Sequence, residues 1–209
     1  MVSLQINSLE AALLSIPGII IAVVLHELVK AMTAQKLGDG GVKGRISLNP
    51  LKHMDALGLI FIALFGFGWA NPVRLSPFHY SNRKKAMLVI FAISFIFSLL
   101  LGMLFFLLGG FWYQNILTVE NFQIHSHIVQ ALTLAGHISI GFAILNILPV
   151  FPFDGSLVLS GIAPFKAAML ARYEKIIQLI IAFMIILGVI GRVLHPFIDQ
   201  IRVILWGLL

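Results

Sequence analysis

The chain has 209 residues, of which 60% are hydrophobic and only 11% charged, so lipid must take the place of the polar surface that a water-soluble globule would carry. The net charge of +6 comes from 14 Lys and Arg against 8 Asp and Glu; the basic residues sit in short connecting segments without interleaved aromatics, which argues against a nucleic-acid partner and for topology signals. There is no cysteine, which excludes disulfides, thiolate zinc sites and iron–sulfur clusters and leaves His, Asp and Glu as the only strong metal ligands.

Residues 1–9 carry no Lys or Arg, and Glu10 opens the first apolar run. That run is therefore expected to stay in the protein rather than be removed as a secretory signal. Apolar stretches follow at 9–35, 56–70, 86–111, 128–150 and 176–193, with a mixed tail over 196–209. A membrane-spanning helix needs about 20 residues, so 9–35, 86–111, 128–150 and 176–193 are expected to span. The stretch 56–70 is short and interrupted by Gly58, Gly66 and Gly68.

Charge placement bears on that short stretch. Lys36, Lys43, Arg45 and Lys52 precede it, and Arg74, Arg83, Lys84 and Lys85 follow it. Flanks of one sign predict an element that enters and leaves on the same side, a re-entrant or hairpin element; a short tilted helix is the alternative. The loop 114–127 has no Lys or Arg, whereas Lys166, Arg172 and Lys175 follow the next span. The expected protein is thus multi-pass in the cell membrane, with its N-terminus outside and its basic loops cytoplasmic. The tail is either a further span or an interfacial helix. The fold class is an all-α polytopic membrane protein, one domain over 1–209, without an internal repeat.

Three segments could carry chemistry. Val23-Val24-Leu25-His26-Glu27-Leu28-Val29-Lys30 places ionisable groups inside an apolar helix, where they are costly and usually functional. Asn49-Pro50-Leu51-Lys52-His53-Met54-Asp55 reads as a turn with Asn-Pro initiation and a helix-capping Asp. Asn146-Ile147-Leu148-Pro149-Val150-Phe151-Pro152-Phe153-Asp154-Gly155 stops the fourth stretch with two prolines and presents Asp154 from irregular chain, which is expected to line a wet cavity. Taken singly, His26 could bond a neighbouring carbonyl, His53 could be an ordinary loop histidine, and Asp154 could be a plain loop aspartate.

Taken together, in this order, the three segments resemble the site-2 protease family of intramembrane zinc metalloproteases. The resemblance covers most of the chain and extends to Lys36-Leu37-Gly38-Asp39, Gly44-Arg45-Ile46-Ser47-Leu48-Asn49-Pro50 and Phe67-Gly68-Trp69-Ala70-Asn71-Pro72-Val73. It implies two histidines of a His-Glu-x-x-His helix and one Asp as zinc ligands, at positions occupied here by His26, Lys30 and Asp154. It implies Glu27 as general base and Asn146 near the reacting oxygen.

Two departures stand out. Lys30 replaces the second histidine, and an ammonium group has donors but no lone pair for a metal. Where the family shows Ala-Gly-Pro and a nearby Asn, this chain has Ala92-Ile93-Ser94-Phe95-Ile96-Phe97 by position, expected to be plain hydrophobic surface. Three readings follow. The chain is a non-catalytic homologue binding transmembrane segments, with Lys30 paired to Asp154 or Glu27 in a wet cavity and no cofactor. Alternatively it is an active zinc endopeptidase in which His53 or His137 replaces the missing ligand, or a small transporter or channel.

Overall fold

A computed structural model describes residues 9–115 and 122–209, all helix, turn and irregular chain. The expectations for residues 1–8 and for the middle of the loop 114–127 lie outside the described residues. The helices are α1 (Leu9–Lys36), α2 (Ala56–Phe65), α3 (Arg83–Asn115), α4 (Phe122–Leu145), α5 (Gly155–Ile162), α6 (Pro164–Ala171), α7 (Glu174–Ile186) and α8 (Val189–Trp206). Among the described residues, α1, α3 and α4 are long and apolar enough to cross a membrane, and α7 with α8 forms a bent pair that passes the same test. The chain is an all-α polytopic membrane protein.

α1, α3 and α4 form the centre of the bundle. Their backbones approach closely where the sequence supplies a small residue: a Cβ on Gly18 of α1 would lie 2.6 Å from the Cβ of Ala135 on α4. In lipid, where burial of apolar surface drives little, such close packing is what holds helices together.

The short element is a hairpin, as its flanking charges predict. Asp55 caps α2 by accepting from Gly58 N at 2.9 Å, and the same oxygen takes the Trp69 indole N–H at 3.0 Å. At the far end Gly66 adopts the left-handed conformation, φ 78°, and reverses the chain. The returning chain makes a single bridge between Ala70 and Met54 and donates Asn71 N to His53 O at 2.9 Å, so both feet of the hairpin meet. The irregular chain that follows brings Val73 N against Glu27 of α1.

Several boundaries differ from expectation. α3 runs from Arg83 to Asn115 rather than over 86–111, because Arg83, Lys84 and Lys85 join its start and residues 112–115 its end, and α4 begins at Phe122 rather than 128. α4 ends at Leu145 rather than 150: Pro149 and Pro152 have no N–H to give Leu145 O and Leu148 O, and the chain turns away ahead of them. The last span does not run unbroken over 176–193. It breaks at Leu187–Gly188 with a 68° bend, Gly188 taking φ 69°, and Pro196 lies inside α8 rather than opening a tail. Beyond the break, Arg192, His195, Asp199 and Arg202 recur every three or four residues and put one polar face on α8.

Candidate functional site

His26, Glu27 and Lys30 lie on α1, with His26 and Lys30 four apart and therefore on one face. Asp154 reaches them from the α4–α5 turn. The ring of His26 packs edge-on against Phe142, and all four ionisable side chains are buried: His26 and Lys30 are 0% exposed, Glu27 1% and Asp154 2%. The wet cavity expected around Asp154 is therefore absent; the group sits in closed protein.

Charge in such a place must be matched atom by atom. Lys30 Nζ donates to Glu27 Oε1 and to Asp154 Oδ1, each at 2.6 Å. Glu27 Oε2 accepts the main-chain N–H of Val73 at 2.7 Å. Asp154 Oδ2 lies 2.8 Å from His26 Nε2 and 3.1 Å from Ser94 Oγ. A carboxylate only accepts, so Nε2 carries the proton toward Asp154; a neutral ring then offers its Nδ1 lone pair to the Ser98 hydroxyl at 2.7 Å. Every carboxylate oxygen in the cluster has a donor.

The turn that presents Asp154 is built by Asn146. Its Oδ1 accepts Asp154 N at 3.1 Å, its Nδ2 donates to Phe142 O at 2.9 Å, and its own carbonyl accepts Gly155 N at 2.7 Å. Asn146 thus ties the end of α4 to the start of α5 with both ends of its amide, which makes it a positioning residue for Asp154.

The resemblance implies a zinc ion here, and the residues test that. The ligand atoms of His26, Glu27 and Asp154 lie within 4.8 Å of one another. The ammonium of Lys30, however, already bonds one oxygen of each carboxylate, so a dication would compete with a tethered cation for those atoms. With Lys30 in this position the residues do not fit the metal. The proposed substitutes do not repair the set, because neither His53 nor His137 belongs to the converging group. His53 is buried and spends Nε2 on Ser47 O at 2.8 Å; burial pushes its pKa below the ordinary value. His137 spends its nitrogens on Thr133 O and Asp199.

Sequence reasoning missed three partners. The run 92–97 is not plain hydrophobic surface, which corrects the expectation: Ser94 is 0% exposed and faces Asp154, and Ser98, one turn on, faces His26. Two serines four apart in an apolar helix were the available signal. The third partner, Val73 N, is a main-chain group with no signature in sequence.

No known protein-family model matches the chain, and no solved structure matches it. Two curated proteins do. The chain is 29% identical over 149 residues to "Putative zinc metalloprotease YwhC" of Bacillus subtilis, covering 70% of this chain and 67% of that one. It is 29% identical over 150 residues to "Putative zinc metalloprotease Rip2" of Mycolicibacterium smegmatis, covering 68% of this chain and 54% of that one. The chain therefore spans about half the length of the second relative.

Proposed function

We propose that this chain is a membrane protein of the site-2 protease type whose protease centre is closed by Lys30, and that it binds transmembrane segments without cleaving them. The observation that carries the reading is the pair of 2.6 Å contacts from Lys30 Nζ to Glu27 and Asp154. A general base needs a free carboxylate oxygen beside its substrate water, and both oxygens of Glu27 are taken, one by Lys30 and one by Val73 N. The two relatives named as zinc metalloproteases support the origin of the scaffold. Within this reading the feet of the hairpin, with the basic residues on either side of it, face the cytoplasm, and the start of α1 faces outward.

The active-protease alternative needs a third ligand from His53 or His137, and neither belongs to the group formed by His26, Glu27 and Asp154. The deciding experiment compares the parent with its Lys30→His variant in zinc content and in cleavage of a test transmembrane substrate. The variant should gain one zinc equivalent over the parent and lose it again when His26→Gln is added. Cleavage by the parent, abolished by Glu27→Gln, would overturn the proposal.

A further inference from the structure

Away from the Lys30 centre, the bend between α7 and α8 opens a cavity of about 520 Å3 against α4 and the tip of the hairpin. Its walls are mostly apolar, yet His137, His195 and Asp199 are among its lining residues. His195 and Asp199 are four apart on α8 and share a face. His137 comes from α4, more than a turn before the Phe142 that packs on His26. None of the three contributes to the site described above.

His137 poses an unanswered question of charge. Its side chain is buried, 7% exposed, and both of its nitrogens face oxygen acceptors: Nδ1 lies 3.0 Å from Thr133 O and Nε2 lies 3.1 Å from Asp199 Oδ1. A neutral imidazole has one N–H. With that proton on the Thr133 carbonyl, the Nε2 lone pair meets a carboxylate oxygen, and a cation must join them.

We propose that His137, His195 and Asp199 form a second metal site, which takes a divalent first-row transition ion of the zinc class. Ligand atoms on a tetrahedral zinc at 2.0–2.1 Å are about 3.3 Å apart, close to the 3.1 Å between Nε2 and Oδ1. Ligating histidines characteristically give their other N–H to a main-chain carbonyl or a carboxylate, which fixes the tautomer and turns the lone pair to the metal; Thr133 O does this for His137. Arg202 Nη2 holds the same Asp199 oxygen at 3.2 Å and is itself laid over the Trp206 ring, 5.2 Å from its centroid. The carboxylate is thereby oriented, and among the described residues its Oδ2 has no hydrogen bond.

His195 supplies the third ligand. Its ring packs on Phe67 at 5.1 Å, makes no hydrogen bond among the described residues, and stands 6.4 Å from the His137 ring, centroid to centroid. Two imidazoles on one tetrahedral ion stand about 5 Å apart, so His195 must swing toward His137 for the ion to bind. The fourth position then faces the cavity, beside Arg192.

The test uses the full chain in detergent micelles, stripped with a chelator and titrated with zinc and, separately, with cobalt, whose visible absorption reports a tetrahedral environment. One equivalent should bind, with Kd raised at least about tenfold by His195→Ala and by Asp199→Asn and unchanged by His26→Gln. The partly buried His195 can also be changed to Gln, which keeps more of its bulk if the Ala variant loosens the packing on Phe67. A parent that binds no zinc, showing that a proton alone joins His137 to Asp199, overturns the site. So does binding that ignores both α8 substitutions. Zinc lost with His26→Gln would count against the closed Lys30 centre instead, which keeps the two proposals separable.

Discussion

Lys30 Nζ and Asp154 Oδ1 lie 2.6 Å apart across 124 residues of sequence, and the same ammonium reaches Glu27 at 2.6 Å. One side chain therefore clamps α1 to the α4–α5 turn. Replacing it with Met keeps the length but leaves two buried carboxylates without their cation. Lys30→Met should cost about 3–5 kcal/mol, read as a fall in the thermal midpoint in detergent. Adding Glu27→Gln and Asp154→Asn should return part of the loss; a triple variant no better than the single one would contradict the clamp.

Glu27 also holds the extended segment after the hairpin, through Val73 N at 2.7 Å. Glu27→Ala removes that acceptor and should speed hydrogen exchange at the Val73 amide well beyond its effect on the core of α3. The penalty for an orphaned buried N–H is about 1–3 kcal/mol. Unchanged protection at Val73 would show that the segment is held by other means.

Ser98 and Ser94 should differ in weight. Ser98→Ala deprives His26 Nδ1 of its donor at 2.7 Å and should cost about 1–3 kcal/mol, the price of a buried polar atom left unpaired. Ser94→Ala should cost less, since its hydroxyl is shared among Asp154 and the Ile90 and Phe91 carbonyls, the two carbonyls each at 3.0 Å, and Asp154 Oδ2 keeps His26. Paired melting curves of the two variants check the order.

His53 gives the protein a dependence on acidity. Burial lowers its pKa from the ordinary 6.5, so the folded state favours the neutral ring. Above pH 6.5 both states leave it neutral and nothing is lost. As pH falls below that value the unfolded chain takes up the proton first, and stability declines until the folded pKa is passed. Melting measured from neutral to acid pH should show a shallower decline in His53→Gln, whose amide can still donate toward Ser47 O.

Much of this architecture was legible in the residues. Long apolar runs become spans because lipid leaves the backbone no other partner than itself, and the basic flanks of 56–70 disclosed a hairpin because charge marks the side on which a segment begins and ends. The break at Gly188 was not legible, since hydropathy continues through it and one glycine among 18 carries no mark of positive φ. At the candidate site, the resemblance of the three segments to the site-2 protease family implied that His26, Lys30 and Asp154 come together. Ser94 was misjudged because its neighbours are apolar, although a buried hydroxyl on an apolar helix has to find an acceptor, and Asp154 is one. Asn146 was expected at the reacting oxygen, whereas its amide is consumed in shaping the turn.

The clamp between α1 and the α4–α5 turn has a property that follows from its covalent tether. An ion bridging the same carboxylates would leave on dilution or be withdrawn by a chelator, and the two elements would then part or repel. Lys30 cannot dissociate. The junction is therefore indifferent to metal supply, and its strength is written into the chain from the moment of synthesis.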